Sequence, residues 1–183
     1  MRPIIFIAAS CALLAAGSSQ AAVQVLGGGL AERCFREAMG GGASVTGVRI
    51  CDDALRDEAL SPRDRAATLV NRGILRLRSR SWDYAARDFN QALRIRPELG
   101  EAYVNRGAVR LGQRRYQEAV ADLDRGLSLG AIEPEKAWYN KGLALEGSGD
   151  VRGAYLAYQR AASLKPDWEL PQRELRRFTV QRR

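Results

Sequence analysis

The sequence predicts an all-α fold, a solenoid of stacked helix-turn-helix repeats closed by a C-terminal capping helix. Three observations carry that prediction. An Asn-basic-Gly triplet recurs as Asn71-Arg72-Gly73, Asn105-Arg106-Gly107 and Asn140-Lys141-Gly142. Its glycines stand 34 and then 35 residues apart, and self-similarity at that period marks one supersecondary unit that buries its apolar face on the next copy. Each triplet lies in the first of two helix-length segments, and this pair starts at Ser61, returns from Gly100 and returns again from Glu135.

The N-terminus reads as an address. Arg2 precedes an apolar run from Ile4 to Ala16, interrupted only by Ser10, and Ser19-Gln20-Ala21 supplies small residues before a cut. This is a secretory signal pattern over 1–21, and the run of 13 residues is short of the ~20 that span a bilayer. The competing reading is a lipoprotein signal ending at Cys11. Cleavage after Ala21 removes one of three cysteines and leaves Cys34 and Cys51. In an oxidising export compartment, periplasmic or extracellular, such a pair is most simply a disulfide. No transmembrane helix is expected in the mature chain.

Residues 22–61 read as a degenerate helical hairpin. Leu30 to Met39 forms the first helix and Gly40-Gly41-Gly42 ends it; Ser44 caps a second, whose apolar face carries Val48, Ile50, Cys51, Ala54 and Leu55. Aligning Ala54-Leu55 with Ala92-Leu93 of the next unit puts Cys34 and Cys51 on facing sides. A bond there stabilises by about 3 kcal/mol on a chain-entropy estimate. The pair lacks the Cys-x-x-Cys spacing of redox-active thiols.

Three repeats follow over 62–168, at 66–99, 100–134 and 135–168. Ser61-Pro62-Arg63-Asp64 joins a hydroxyl cap, a first-turn proline and a carboxylate, a strong helix start. In the third unit Trp138, Lys141-Gly142, Leu145, Ala154, Tyr158, Ala161 and Pro166 stand at fixed offsets. The first unit matches them with Leu69, Arg72-Gly73, Ala85, Phe89, Ala92 and Pro97, and the second with Tyr103, Arg106-Gly107, Ala119, Leu123 and Gly126. In these residues the chain resembles the tetratricopeptide repeat family, whose unit has 34 residues. The second unit departs from the pattern, with Ala131 in place of its proline and one extra residue before Pro134.

A further departure lies before each glycine, where the family usually has a large apolar residue and this chain has Arg72, Arg106 and Lys141. Sixteen residues later stand Asp88, Asp122 and Ala157, so the two arginine units also carry an aspartate. The expectation is a structural ion pair in each, Arg72 with Asp88 and Arg106 with Asp122, joining the two helices of a unit. The alternative is an anion site.

Stacked repeats align equivalent positions, so Asn71, Asn105 and Asn140 are expected to form an amide ladder along the concave face. An amide both donates and accepts, which suits the backbone of an extended peptide, and the resemblance implies peptide binding on this face. The alternative is that the ladder bonds neighbouring helices. Lys136, Tyr139 and Val104 complete the expected groove. A chaperone-tail carboxylate clamp is not expected, because Val70 and Ile74 replace two polar positions and Asn140 a basic one.

Residues 169–183 read as a capping helix running from Pro171 to Val180, made basic by Arg173, Arg176, Arg177, Arg182 and Arg183. The whole chain of 183 residues carries 29 basic against 21 acidic groups, a net charge of +8 that favours anionic partners. The basic residues are dispersed and no aromatic-basic motif accompanies them, so no nucleic acid is expected. Histidine is absent, which removes the commonest general base and metal ligand. No catalytic residue, metal or cofactor is assigned. The expected function is a non-enzymatic adaptor of the bacterial cell envelope that binds another protein. The competing reading is an envelope protein holding an anionic polymer or membrane surface through its basic residues.

Overall fold

The computed structural model describes residues 4–7, 21–26 and 28–181. Nine helices occur among the described residues: α1 (Leu30–Met39), α2 (Val45–Asp57), α3 (Pro62–Arg78), α4 (Trp82–Ile95), α5 (Gly100–Gly112), α6 (Tyr116–Ser128), α7 (Pro134–Gly147), α8 (Val151–Leu164) and α9 (Glu169–Leu175). Successive helices pack in pairs, α3 on α4, α5 on α6 and α7 on α8, and each pair stacks on the next. The first helices also touch one another, α3 with α5 and α5 with α7, so they form a continuous face.

Local chemistry sets the helix starts. Ser44 Oγ accepts the Gly47 amide and Ser61 Oγ accepts the Asp64 amide, each satisfying a donor that has no partner within its helix. α1 begins at Gly29, which has no side chain to cap it. Its free donors are met from the end of α2, where the Glu58 carboxylate accepts the Leu30 and Ala31 amides at 2.5 and 3.0 Å. Between the paired helices the chain turns through a left-handed residue. Arg80 and Arg114 take φ 57 and 60 there, where the third repeat has Gly149.

The triplet glycines admit the aromatic layer. A Cβ at Gly73 would lie 2.6 Å from the Phe89 ring, and one at Gly142 would lie 2.5 Å from the Tyr158 ring. Those contacts outweigh the propensity cost of about 1 kcal/mol that a mid-helix glycine carries. The cores follow the stack: Leu69, Val70, Ile74, Phe89 and Ala92 in the first repeat, Leu111, Ala119 and Ala144 between the second and third, and Tyr139, Tyr158 and Phe178 at the end.

The C-terminus differs from the expected helix over Pro171 to Val180. α9 stops at Leu175, and the chain turns into a strand, β2 (Phe178–Gln181), antiparallel to β1 (Ile4–Ile7) with Ile7 opposite Phe178. Phe178-Thr179-Val180 is an aromatic and β-branched run, which fits a pleated surface better than a helix once a partner strand is present. Phe178 still covers the last layer, its ring 5.5 Å from Tyr155 and 6.0 Å from Tyr158. Apart from Ile4–Ile7 and Ala21, the stretch expected as a signal, Cys11 included, lies outside the described residues. No helix among the described residues is long and apolar enough to cross a membrane.

Candidate peptide-binding face

On α3, Asn71 already grips an extended backbone. Its Nδ2 donates to the Val23 carbonyl at 2.8 Å, and its Oδ1 accepts the Val23 amide at 2.9 Å. One side chain thus satisfies both polar groups of a residue 48 positions away, and nothing in that contact depends on the side chain of Val23. Two turns earlier on α3, Asp64 Oδ1 accepts the Leu26 amide at 3.0 Å while its other oxygen accepts the Ser61 hydroxyl at 2.7 Å. Between these anchors Val25 is buried beside Ala31, Ala54 and Ala67, and Ala22 and Val23 pack on the cluster of Val70 and Ile74. Residues 22–26 are therefore a seated strand-like segment.

The Leu26 amide, with the Ser61 hydroxyl second, holds the Asp64 carboxyl below the usual carboxylate range. A depressed folded pKa contributes stability that is present above the unfolded value and lost as pH falls through the folded one. Acidification below about pH 4 is therefore expected to release this segment before the repeats unfold. Amide exchange at Leu26 followed from pH 6 to pH 2 checks it; protection that is constant until global unfolding would exclude Asp64 as an anchor.

Asn105 on α5 and Asn140 on α7 occupy the same place in the following repeats. Both are buried, at 1% and 0% exposure, and neither the nitrogen nor the oxygen of either amide has a hydrogen-bond partner. The alternative that the ladder bonds neighbouring helices has no contact to support it. Burying such groups unpaired costs about 1–3 kcal/mol each.

Two of the expected groove residues belong to the core instead. Val104 packs with Leu123, Ala131 and Ala137, and the Tyr139 ring lies 5.6 Å from Tyr158 and 5.1 Å from Trp168. Their positions one residue before the asparagines turn them toward the paired helices, and burial pushes the Tyr139 hydroxyl up to about 12. Lys136 is half-buried and paired with Glu133.

Behind this face, Arg72 meets Asp88 through Nε at 3.1 Å and Nη2 at 2.6 Å, and Arg106 meets Asp122 at 2.8 and 2.6 Å. Each aspartate takes a second arginine, Arg76 or Arg110, at 2.8 Å. Sequence reasoning missed these two, although they follow Arg72 and Arg106 by four residues, one helical turn on the same side. Arg72 also reaches Asp52 of α2 at 2.7 Å, and so ties the hairpin to the first repeat. In the third repeat Lys141 turns to Asp124 at 2.5 Å, and Ala157 is buried. The sulfurs of Cys34 and Cys51 lie 2.12 Å apart between α1 and α2. Among the expected C-terminal basic residues, Arg177 is held by Glu174 at 2.5 Å and Glu146 at 2.8 Å. Among the described residues no group of three His, Cys, Asp or Glu side chains is placed to hold a metal.

A family model for the tetratricopeptide repeat matches residues 135–167, the third of these helix pairs. The third helix pair is a tetratricopeptide repeat. Solved structures share its architecture. MamA from Desulfovibrio magneticus RS-1, from its residue 41 to the end, superposes with a TM-score of 0.64 at 24% identity, over 80% of this chain and 77% of that one. The Arabidopsis OM64 TPR domain gives 0.61 at 19% identity, over 64% and 96%. The second TPR domain of human RPAP3, solved in complex with an HSP70 peptide, gives 0.59 at 20% identity, over 63% and 96%. Likeness at these identities is likeness of fold. No curated protein matches the chain. Tetratricopeptide repeat proteins are in general non-enzymatic scaffolds that bind other proteins.

Proposed function

We propose that this chain is an envelope adaptor, exported through its N-terminal 1–21 stretch and braced by a Cys34–Cys51 disulfide, that binds an extended segment of another protein on the face of α3, α5 and α7. One observation carries the reading: Asn71 holds the backbone of a seated segment by two hydrogen bonds, while its counterparts Asn105 and Asn140 are buried with both amide atoms unpaired. The RPAP3 domain with its bound peptide is a precedent in the same fold. Envelope location rests on the signal pattern and the cysteine pair.

A photo-crosslinking residue at position 105 is expected to capture a partner in the native host, while the same residue at exposed position 160 on the second-helix side captures none. Equal capture at both positions would remove the concave-face reading. The contact is expected to persist in high salt; its collapse would favour the anionic-polymer reading, since exposed charge interactions are screened within about 10 Å at 0.1 M salt. The intact mass of the native chain is expected to begin at Ala22, and a mass that includes Met1 would exclude cleavage.

A further inference from the structure

The turns that join the two helices of each pair lie side by side along one edge of the stack. Arg78 at the end of α3 donates to the Gly42 carbonyl of the α1–α2 turn at 3.4 Å. Gln113 in the α5–α6 turn donates to Asp83 at the start of α4 at 2.9 Å. A Cβ at Gly147, the end of α7, would lie 2.5 Å from the ring of Tyr116, the start of α6, and Arg177 beyond α9 meets Glu146 of α7 at 2.8 Å. The four turns and the end of α9 thus form one continuous edge.

The charge of this edge is one-sided. Arg80, Arg114, Arg152 and Arg176 are exposed there, and none of them makes an ion pair among the described residues. The acidic residues of the three repeat turns are already engaged: Asp83 by Gln113, Glu118 by Arg115, Glu146 by Arg177, and Asp150 by the Gly153 amide. The opposite edge is balanced, with Arg96 paired to Glu98, Lys136 to Glu133 and Lys165 to Glu135. Arg80 and Arg114 also occupy left-handed backbone, at φ 57 and 60, where Gly149 in the third repeat shows that glycine suffices. The turn geometry therefore does not call for arginine. At the hairpin end of the edge, Met39 and Val45 flank the Gly40-Gly41-Gly42 turn at 62% and 87% exposure. Apolar side chains standing in solvent beside basic ones suit an anionic bilayer surface, because the headgroups attract the guanidiniums and the acyl boundary takes up the apolar tips. A soluble polyanion would use the arginines alone.

We propose that this edge docks the chain on an anionic phospholipid surface, with Met39 and Val45 inserted at one end and Arg80, Arg114, Arg152 and Arg176 on the headgroups along it. The edge is distinct from the face of α3, α5 and α7, so this docking neither needs nor excludes the proposed protein contact.

The test floats the full chain purified from its native host with vesicles of phosphatidylglycerol and phosphatidylcholine in equal parts, or of phosphatidylcholine alone. Binding is expected to the first and not to the second. Arg80→Gly and Arg114→Gly are each expected to weaken it about fivefold, the worth of one basic residue at an anionic surface. Neither is expected to lower the melting temperature, since glycine suits a left-handed turn, so lost binding is separable from lost folding. Arg63→Ala, at an exposed arginine of the opposite edge, is expected to leave binding unchanged. Met39→Ser combined with Val45→Ser is expected to weaken vesicle binding several-fold and to leave binding to dextran sulfate as it was. Equal binding to both vesicles, or binding to neither, would overturn the proposal. A loss from Arg63→Ala as large as that from Arg80→Gly would overturn it in favour of net charge alone. Vesicle binding indifferent to Met39 and Val45, and matched by dextran sulfate, would assign the edge to a soluble polyanion instead.

Discussion

Replacing Asp88 by alanine is expected to destabilise the chain by about 3–5 kcal/mol, the cost of breaking a buried ion pair from one side. Asp88 is 2% exposed and takes three hydrogen bonds, two from Arg72 and one from Arg76. Burial pushes its carboxyl above the usual carboxylate range, and the Arg72 and Arg76 guanidiniums oppose that shift without cancelling it. With Asp88 gone, two largely buried arginines keep the half-exposed Asp52 as their carboxylate partner, and Arg76 also keeps the Tyr84 ring. The melting temperature is expected to fall by about 10 °C or more. Substituting Asp88, Arg72 and Arg76 together with apolar residues of similar volume is expected to recover most of the loss, because no charge is then left stranded. The third repeat supports this, since it packs with Ala157 at the corresponding position. A single substitution that leaves the melting temperature unchanged would mean that the arginines are satisfied by solvent.

Reducing the Cys34–Cys51 pair, or replacing both cysteines by serine, is expected to cost about 3 kcal/mol for a closed loop of this size. The two sulfurs lie 2.12 Å apart between α1 and α2, 17 residues apart along the chain, and are buried with Ile50 and with Leu75 of the first repeat. Other contacts brace the glycine-rich hairpin, among them the Glu58 carboxylate on the start of α1, Asp52 on Arg72 and Arg78 on the Gly42 carbonyl. Its loosening has a second consequence. Ala31 and Ala54, which seat Val25, belong to α1 and α2, so protection of residues 22–26 against exchange is expected to fall with the bond while that of α7 and α8 stays. Urea unfolding with and without reductant measures the first effect and site-resolved exchange the second. Equal midpoints under both conditions would show that the bond braces nothing.

The two effects also separate what is readable along the chain from what is not. Helix boundaries such as Pro62 and Leu30 follow from caps, prolines and glycines within a few residues. The repeat follows from a period of 34 to 35 residues. The recurrence of arginine and aspartate sixteen positions apart is visible in the same way. Arg76 and Arg110 were missed because a helical turn and a shared carboxylate have to be considered together.

The candidate site was less legible. Asn71, Asn105 and Asn140 stand out by repetition, but nothing local distinguishes the one whose amide is filled from the two whose amides are not. The alternation of Val23, Gln24 and Val25 was the one sequence signal for a strand-like segment, and its partner lies 48 positions away. Val104 and Tyr139, expected in the groove, each precede an asparagine by one residue. One residue is a rotation of about 100° on a helix, enough to turn them into the layer beneath.

Local order thus determined the helices, their pairing and the stacked architecture, because caps, breakers and apolar spacing act over one or two turns and repeat identically. Tertiary structure alone decided three things: that in the chain retaining residues 4–7 Phe178–Gln181 is a strand opposite Ile4–Ile7, that two arginines share each buried aspartate, and that residues 22–26 are held by Asn71. Each depends on groups brought together from distant positions, and their hydrogen bonds are made only when the intervening chain has packed.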